Sequence, residues 1–500
     1  MKLKRLYIKE YGILKDFVLE FPEKTENNIS IFIGENGSGK TTVLEAITKI
    51  FSWFINEDEP KFEFELEYYF WLTETIDEST TTSVSKTDPI EVKLFSSKNF
   101  VDIKSVVAGK SLNGIKEVRG SRELSQIKQT IRDNKYKLLP DSIAIYYAGE
   151  STNIKGIVDG HNEEYRRVLR ELKEVVAPRI FFYYEPYHFN LLLLGLLSFE
   201  YGDVPELLSQ KIDFDSIQNF TIILNEPDWA YSELDIEEGD FWGAKGNVLV
   251  FLKQLAGLAT VIENTRNDVK LFFNAEAGQQ LYELKDLYGT EKEFFNILEM
   301  TWQSDLIESV EININKVSDS EITTINSNQL SEGEKQALII LGLNELVLKE
   351  NSLALYDEPD TYLHPRWQKD FLPELSSFIE SATNIENSYI ITSHSPQLLS
   401  NAHPDKTFVK IFAEGKIIEI TPKHYGREIS SILYNMMNVK ERNKIVRDDL
   451  SKLFLLIEEG KISEAEKELT RLTDLLGEND PELKKAEIQI QYLRDDEENN

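Results

Sequence analysis

Apolar and polar positions along the chain change rhythm several times, and each change marks an element. Residues 2–9 and 17–21 read as strands around a turn at Tyr11-Gly12, and residues 29–33 form a short apolar strand. Residues 43–54 carry the spacing of a helix. From Phe62 the pattern alternates strictly, placing Phe62, Phe64, Leu66, Tyr68 and Phe70 on one face. A half-buried strand requires this, because successive side chains point to opposite faces. Residues 91–95 and 101–107 read as a hairpin, and the Ser/Thr-rich stretch 79–85 reads as an exposed loop.

The middle of the chain, 160–305, reads as mainly helical, with helical spacing over 164–176, 190–198 and 248–263 and an interruption around Pro178 and Pro186. Residues 308–316 and 321–325 return to strands, and 327–420 alternate helix with strand. About sixty further residues are helical, with breaks at Gly460 and from Gly477 to Pro481. No period repeats along the whole chain. The helices near the end resemble a helical hairpin module, short of the roughly three units a solenoid needs.

Three short stretches carry chemistry. Gly34-Glu35-Asn36-Gly37-Ser38-Gly39-Lys40-Thr41 fits Gly-x4-Gly-Lys-Ser/Thr, between an apolar strand and a helical run. Glycines there let backbone N–H groups curl into an anion nest at a helix N-terminus. The loop Asn36, Gly37, Ser38, Gly39 with Lys40, Thr41 and Thr42 is therefore a candidate ATP-phosphate site, with Lys40 as its cation and Thr41 as a Mg²⁺ ligand. In Leu353-Ala354-Leu355-Tyr356-Asp357-Glu358-Pro359 an apolar strand ends in two acids. Asp357 is a candidate Mg²⁺ ligand opposite Thr41, and Glu358 a candidate general base. In Ile390-Ile391-Thr392-Ser393-His394-Ser395-Pro396 a buried strand runs into His394.

A fourth stretch, Gln329-Leu330-Ser331-Glu332-Gly333-Glu334-Lys335-Gln336, resembles the signature motif of ABC-type ATPases in the acidic variant of SMC-like and RecF-like proteins. The resemblance implies that Ser331, Gly333 and Glu334 form a second anion-binding helix end, which caps the γ-phosphate held by another copy. It also places His394 at the switch histidine of that family. Ser331 followed by Glu334 is equally a capping box, and both readings hold together. The resemblance further implies that His364 shapes a loop facing the second copy, and that Asp360 and Thr361 lie in the loop coupling the two sites. No glutamine loop is evident; the corresponding region carries Glu150.

These motifs imply an α/β fold: an ABC-type P-loop ATPase head, a mixed sheet plus an antiparallel β lobe, with a helical insert and a C-terminal helical module. The expected divisions are 1–158 and 306–422 for the two halves of the core, 159–305 for the insert and 423–500 for the module. Sustained heptads are absent from the insert, so no long coiled-coil arm is expected.

Looser stretches, 146–150, 181–186 and the tail from Tyr425, resemble the PtuA-type ATPases of Septu and retron anti-phage systems, with OLD and PARIS ATPases as relatives. That resemblance implies an HNH nuclease as partner. No cutting motif appears in the chain itself, and Asp448-Asp449 and Asp495-Asp496 read as solvated helix faces. A RecF-like DNA-repair ATPase and, less favoured, a transporter motor are the alternatives.

Composition narrows these choices. At 500 residues the chain has room for roughly three domains. With no cysteine it has neither disulfides nor thiolate metal sites. A net charge of −32 excludes a broadly basic nucleic-acid surface and leaves only a local one or a partner's. No apolar run approaches the roughly 18 residues of a membrane span, so a cytoplasmic protein without a membrane partner is expected.

Overall fold

The apolar run at 29–33 becomes a central strand, buried on both faces. The structure, a computed structural model, describes residues 1–22, 29–55, 60–71, 90–97, 100–107, 110–111, 139–149, 152–171, 179–264, 268–274, 277–318, 321–381, 387–419, 422–436 and 442–498. The chain divides into two compact units, Met1–Arg427 and Glu428–Asn500.

The first unit contains three sheets. In the six-stranded antiparallel sheet, β1 (Lys2–Tyr11), β2 (Leu14–Glu20), β4 (Phe64–Phe70), β5 (Ile90–Ser97), β6 (Phe100–Val107) and β7 (Lys110–Ser111) lie in the order β2-β1-β4-β5-β6-β7. The alternation expected from Phe62 is the buried face of β4, whose Phe64 and Tyr68 meet Trp53 and Phe51 of the helix Lys40–Ile55. This sheet and helix share one core with the strands of the second sheet.

The seven-stranded sheet runs β18-β17-β3-β16-β15-β8-β9. Its members are β3 (Ile29–Gly34), β8 (Ile143–Tyr147), β9 (Phe181–Tyr183), β15 (Leu353–Asp357), β16 (Ser388–Ser393), β17 (Thr407–Ala413) and β18 (Lys416–Ile418). All neighbours pair in parallel except β17 with β18. Parallel strands covered on both faces are rich in apolar residues and buried along their length, as β15 and β16 are throughout and β3 is up to Gly34. Three of these strands therefore end side by side, at Gly34, Asp357 and Ser393.

The third sheet corrects the expected helical insert. β10 (Phe214–Asn225), β11 (Val261–Asn264), β12 (Asp268–Phe273), β13 (Ile307–Ser318) and β14 (Glu321–Asn326) form an antiparallel sheet in the order β11-β12-β10-β13-β14. Because β10 pairs with both β12 and β13, the sheet crosses the expected boundary at 305. Helices do flank it, including His188–Leu197, Gly246–Leu258 and Glu291–Gln303. The helix expected over 248–263 stops at Leu258, where Ala259 turns extended, and the rest is β11. The helix expected over 164–176 spans Thr152–Glu171, and its remaining expected residues lie outside those described, as do 79–85.

In the second unit the helices Lys444–Glu458, Ile462–Leu476 and Pro481–Glu498 bury their stripes against one another. Leu450, Leu453 and Ile457 pack with Ala465, Leu472, Leu483, Ala486 and Ile490. Arg471 pairs with Asp449 at 2.8 Å, so this acid belongs to an ion pair on the helix surface. Among the described residues, no helix is long and apolar enough to cross a membrane.

Candidate functional site

The carboxyl ends of parallel strands are where α/β sheets bind ligands. Here β3 leads through Glu35–Gly39 into the helix that begins at Lys40. Gly34 has φ +153°, and a Cβ there would lie 2.3 Å from the Phe412 carbonyl, so the chain can enter the loop only at a glycine. Asn36 and Gly37 are exposed at the tip, Ser38, Gly39 and Lys40 are buried, and Thr41 and Thr42 are half-buried. The loop is braced from outside its motif, since the Gly415 N–H of the β17–β18 turn donates to the Ser38 carbonyl at 2.9 Å.

Lys40, Thr41, Asp357, Glu358 and His394 converge. Lys40 Nζ donates to the Gly34 and Glu35 carbonyls at 2.9 and 3.2 Å and lies 3.0 Å from His394 Nε2. Thr41 Oγ1 donates to Asp357 Oδ2 at 2.6 Å, across 316 residues of chain. Glu358 Oε1 lies 3.0 Å from His394 Nε2. Glu358 itself has φ 54°, a left-handed conformation unusual for a residue with a side chain. That conformation is held because its N–H donates to both the carbonyl and the hydroxyl of Thr392.

The charges are tuned by burial and by neighbours. Burial lowers the Lys40 ammonium from its ordinary value, opposed by Glu358 and Asp357. Burial raises the Asp357 carboxyl despite hydrogen bonds from Thr392 and Thr41. The hydrogen bond to His394 holds Glu358 below the usual carboxylate range.

Ser331, Gly333 and Glu334 form a second cluster at the start of the helix Glu332–Gly342. Ser331 Oγ and N–H both donate to Glu334 Oε2, at 2.7 and 2.8 Å. The Glu334 N–H returns to Ser331 Oγ at 3.3 Å, completing the capping box. Burial would raise Glu334, but hydrogen bonds from Lys316, at 2.7 Å, and Ser331 hold it low. Gln336 of the same helix donates to the Pro359 carbonyl and accepts the Tyr362 N–H at 2.9 Å. It thus ties this helix to the loop after Glu358. His364 opens the helix Pro365–Ser381, its Nδ1 accepting the Arg366 N–H at 3.3 Å. Glu150 lies outside the described residues.

Thr392, Gly415 and Gln336 are site residues that motif reasoning passed over. Thr392 offered a signal, a hydroxyl inside a wholly buried apolar strand, and its Oγ1 donates to Asp357. Gly415 acts through a contact distant in sequence and offered none, while Gln336 closes the signature-like stretch and acts through contacts beyond it.

A family described as AAA ATPase domain matches residues 1–180. A second, an AAA domain whose description names the AbiEii toxin of a type IV toxin–antitoxin system, matches residues 243–400. The chain carries an AAA/ABC-like ATPase domain. The two matches share out the converging residues: Lys40 and Thr41 lie in the first, and Ser331, Asp357, Glu358 and His394 in the second. Among curated proteins, the ATPase domain and its flanks are similar to the Retron Vc95 probable ATPase of Vibrio cholerae, 24% identical over 86% of this chain and 78% of that one. The Retron Ec83 probable ATPase of Escherichia coli is 28% identical over 35% of this chain and 34% of its own length. Among solved structures, an SMC head bound to the C-winged helix domain of ScpA aligns over 84% of this chain and 98% of that one, with 13% identity and a TM-score of 0.34.

Proposed function

We propose that this chain binds Mg²⁺-ATP between two of its own copies and hydrolyses it, as the ATPase subunit of an anti-phage defence system that controls a separate HNH-type nuclease. The observation that carries the ATP reading is the convergence of Lys40, Thr41, Asp357, Glu358 and His394 at the ends of three adjacent parallel strands.

The residues present suit the ligand. Ser38 Oγ is buried in the loop with no hydrogen-bond partner, as a donor reserved for a phosphate oxygen would be. The N–H groups from Asn36 to Thr42 and the Lys40 ammonium then hold the phosphates. Thr41 and Asp357 offer the hard oxygens that Mg²⁺ prefers. When bound, the ion supplies charge neutralisation at the phosphates. Glu358, ionised at neutral pH as any exposed carboxyl is and held lower still by His394, accepts the proton of the attacking water.

Ser331 and Gly333 serve the partner copy's nucleotide, which the exposure of Ser331 allows. The defence role follows the PtuA-like stretches and the similarity to retron ATPases. A nuclease partner accounts for the lack of a cutting motif, and any nucleic acid would be met locally or through that partner.

ATP turnover by Ser331→Arg and Lys40→Ala variants, alone and mixed, tests the shared site. Each alone should be inactive, and mixing should restore turnover, because one composite site then has both good halves. Full turnover by Ser331→Arg alone would refute a shared site. DNA or RNA cleavage should appear only when an HNH-type nuclease that binds this chain is added. Cleavage by the chain alone, abolished by an acid-to-amide change outside the ATP site, would overturn the partner reading.

A further inference from the structure

Hydrogen bonds around His394 close into a ring that the hydrolytic reading leaves unused. Asp360 is 2% exposed. Its Oδ2 accepts from Ser393 Oγ at 2.8 Å, and Ser393 Oγ accepts the Ser395 N–H at 2.9 Å. Ser395 Oγ donates to Gln368 Oε1 at 3.0 Å, and Gln368 Nε2 donates back to the Asp360 carbonyl at 2.9 Å. The ring passes on both sides of His394 and grips its two chain neighbours. Ser393 Oγ gives its one proton to Asp360 and takes the Ser395 N–H on a lone pair.

A carboxyl is a costly choice for such a brace. Asp360 Oδ1 is buried without a partner, and burial pushes the carboxyl up to about 6. Glu358 and His394 are the titratable groups facing it. A position chosen for stability alone would not leave half a carboxyl unsatisfied. The same segment carries Tyr362, 53% exposed, whose N–H is held by Gln336 of the signature-like helix.

We infer that Asp360, acting through Ser393 and Ser395, positions His394 for hydrolysis and ties that position to the exposed segment at Tyr362. The inference rests on the hydrolytic reading of Glu358 and His394 above. Asp360 is a positioning residue, since it meets neither phosphate nor water itself.

The test is steady-state hydrolysis of Mg²⁺-ATP by Ser393→Ala, Asp360→Ala, Asp360→Asn, His394→Ala and the double variant Ser393→Ala/His394→Ala. Ser393→Ala and Asp360→Ala should lower kcat by about 10- to 100-fold, the cost of slight misplacement, with KM nearly unchanged. Asp360→Asn keeps an oxygen acceptor and should recover most of the loss. In the His394→Ala background, Ser393→Ala should cost nothing further. Unchanged kcat in Ser393→Ala beside a large loss in His394→Ala would sink the ring and leave the hydrolytic reading standing. Equal losses in both backgrounds would do the same. If His394→Ala itself hydrolyses normally, both fall together.

Discussion

Lys40 Nζ and Glu358 Oε1 each lie 3.0 Å from the same atom, His394 Nε2. An ammonium can only donate and an ionised carboxylate can only accept. The ring nitrogen therefore serves one neighbour at a time: as N–H it serves Glu358, and as a lone pair it serves Lys40. Drawing Lys40 toward phosphate leaves the N–H form facing Glu358. Ligand capture and preparation of the base are thus linked through one nitrogen.

Lys40→Ala should weaken ATP binding by roughly 10- to 100-fold, the worth of a charge-assisted hydrogen bond of about 1.5–3 kcal/mol. Calorimetry with Mg²⁺-ATP measures it. Unchanged affinity would remove Lys40 from the phosphate site.

Glu358→Gln keeps size and hydrogen bonding and loses the base. Turnover should fall by about 10²–10⁴-fold while binding persists. Near-normal turnover would mean that another group activates water.

Asp360 should give stability an unusual pH dependence. Its folded carboxyl is raised by burial from 3.8 to about 6, so the folded state keeps this proton longer than the unfolded chain does. The group's stabilising contribution is complete below the unfolded value and is lost as pH rises through about 6. Wild type should therefore lose ground to Asp360→Asn between about pH 4 and pH 7, by up to about 3 kcal/mol. Denaturant midpoints of both proteins across that range measure the gap, and a constant gap would contradict a raised carboxyl.

Leu453 is fully buried among the helices of the second unit. Leu453→Ala should cost about 2–5 kcal/mol within that unit. Hydrogen exchange should report it as lost protection over Lys444–Glu458, Ile462–Leu476 and Pro481–Glu498. Protection equal to wild type would mean these stripes are not the core.

The site was most legible where chemistry is contiguous. Gly34 to Thr41 and Leu353 to Pro359 each place strand, turn and ligand groups within eight residues or fewer, so their local pattern announces them. The ring at His394 was not legible, because Gln368 and Asp360 meet Ser393 and Ser395 only through the fold. The strict alternation of β4 was read correctly because one of its faces is wholly buried. β10 was missed because its first half is only partly buried and shows no clean period. Its identity as a strand comes from β12 and β13 on either side.

The placement of β3 between β16 and β17 also sets a timetable. On the ribosome, the strand that carries the phosphate loop must wait for both neighbours, and the loop's outer brace at Gly415 is made later still. At about 5–20 residues per second, the delay between Gly34 and Gly415 is about 20–80 s. Until residues 388–393 are made, neither strand that flanks β3 exists to pair with it. Nucleotide cannot help to fold the early half, and a holdase that shields residues 29–34 would have most to offer during synthesis.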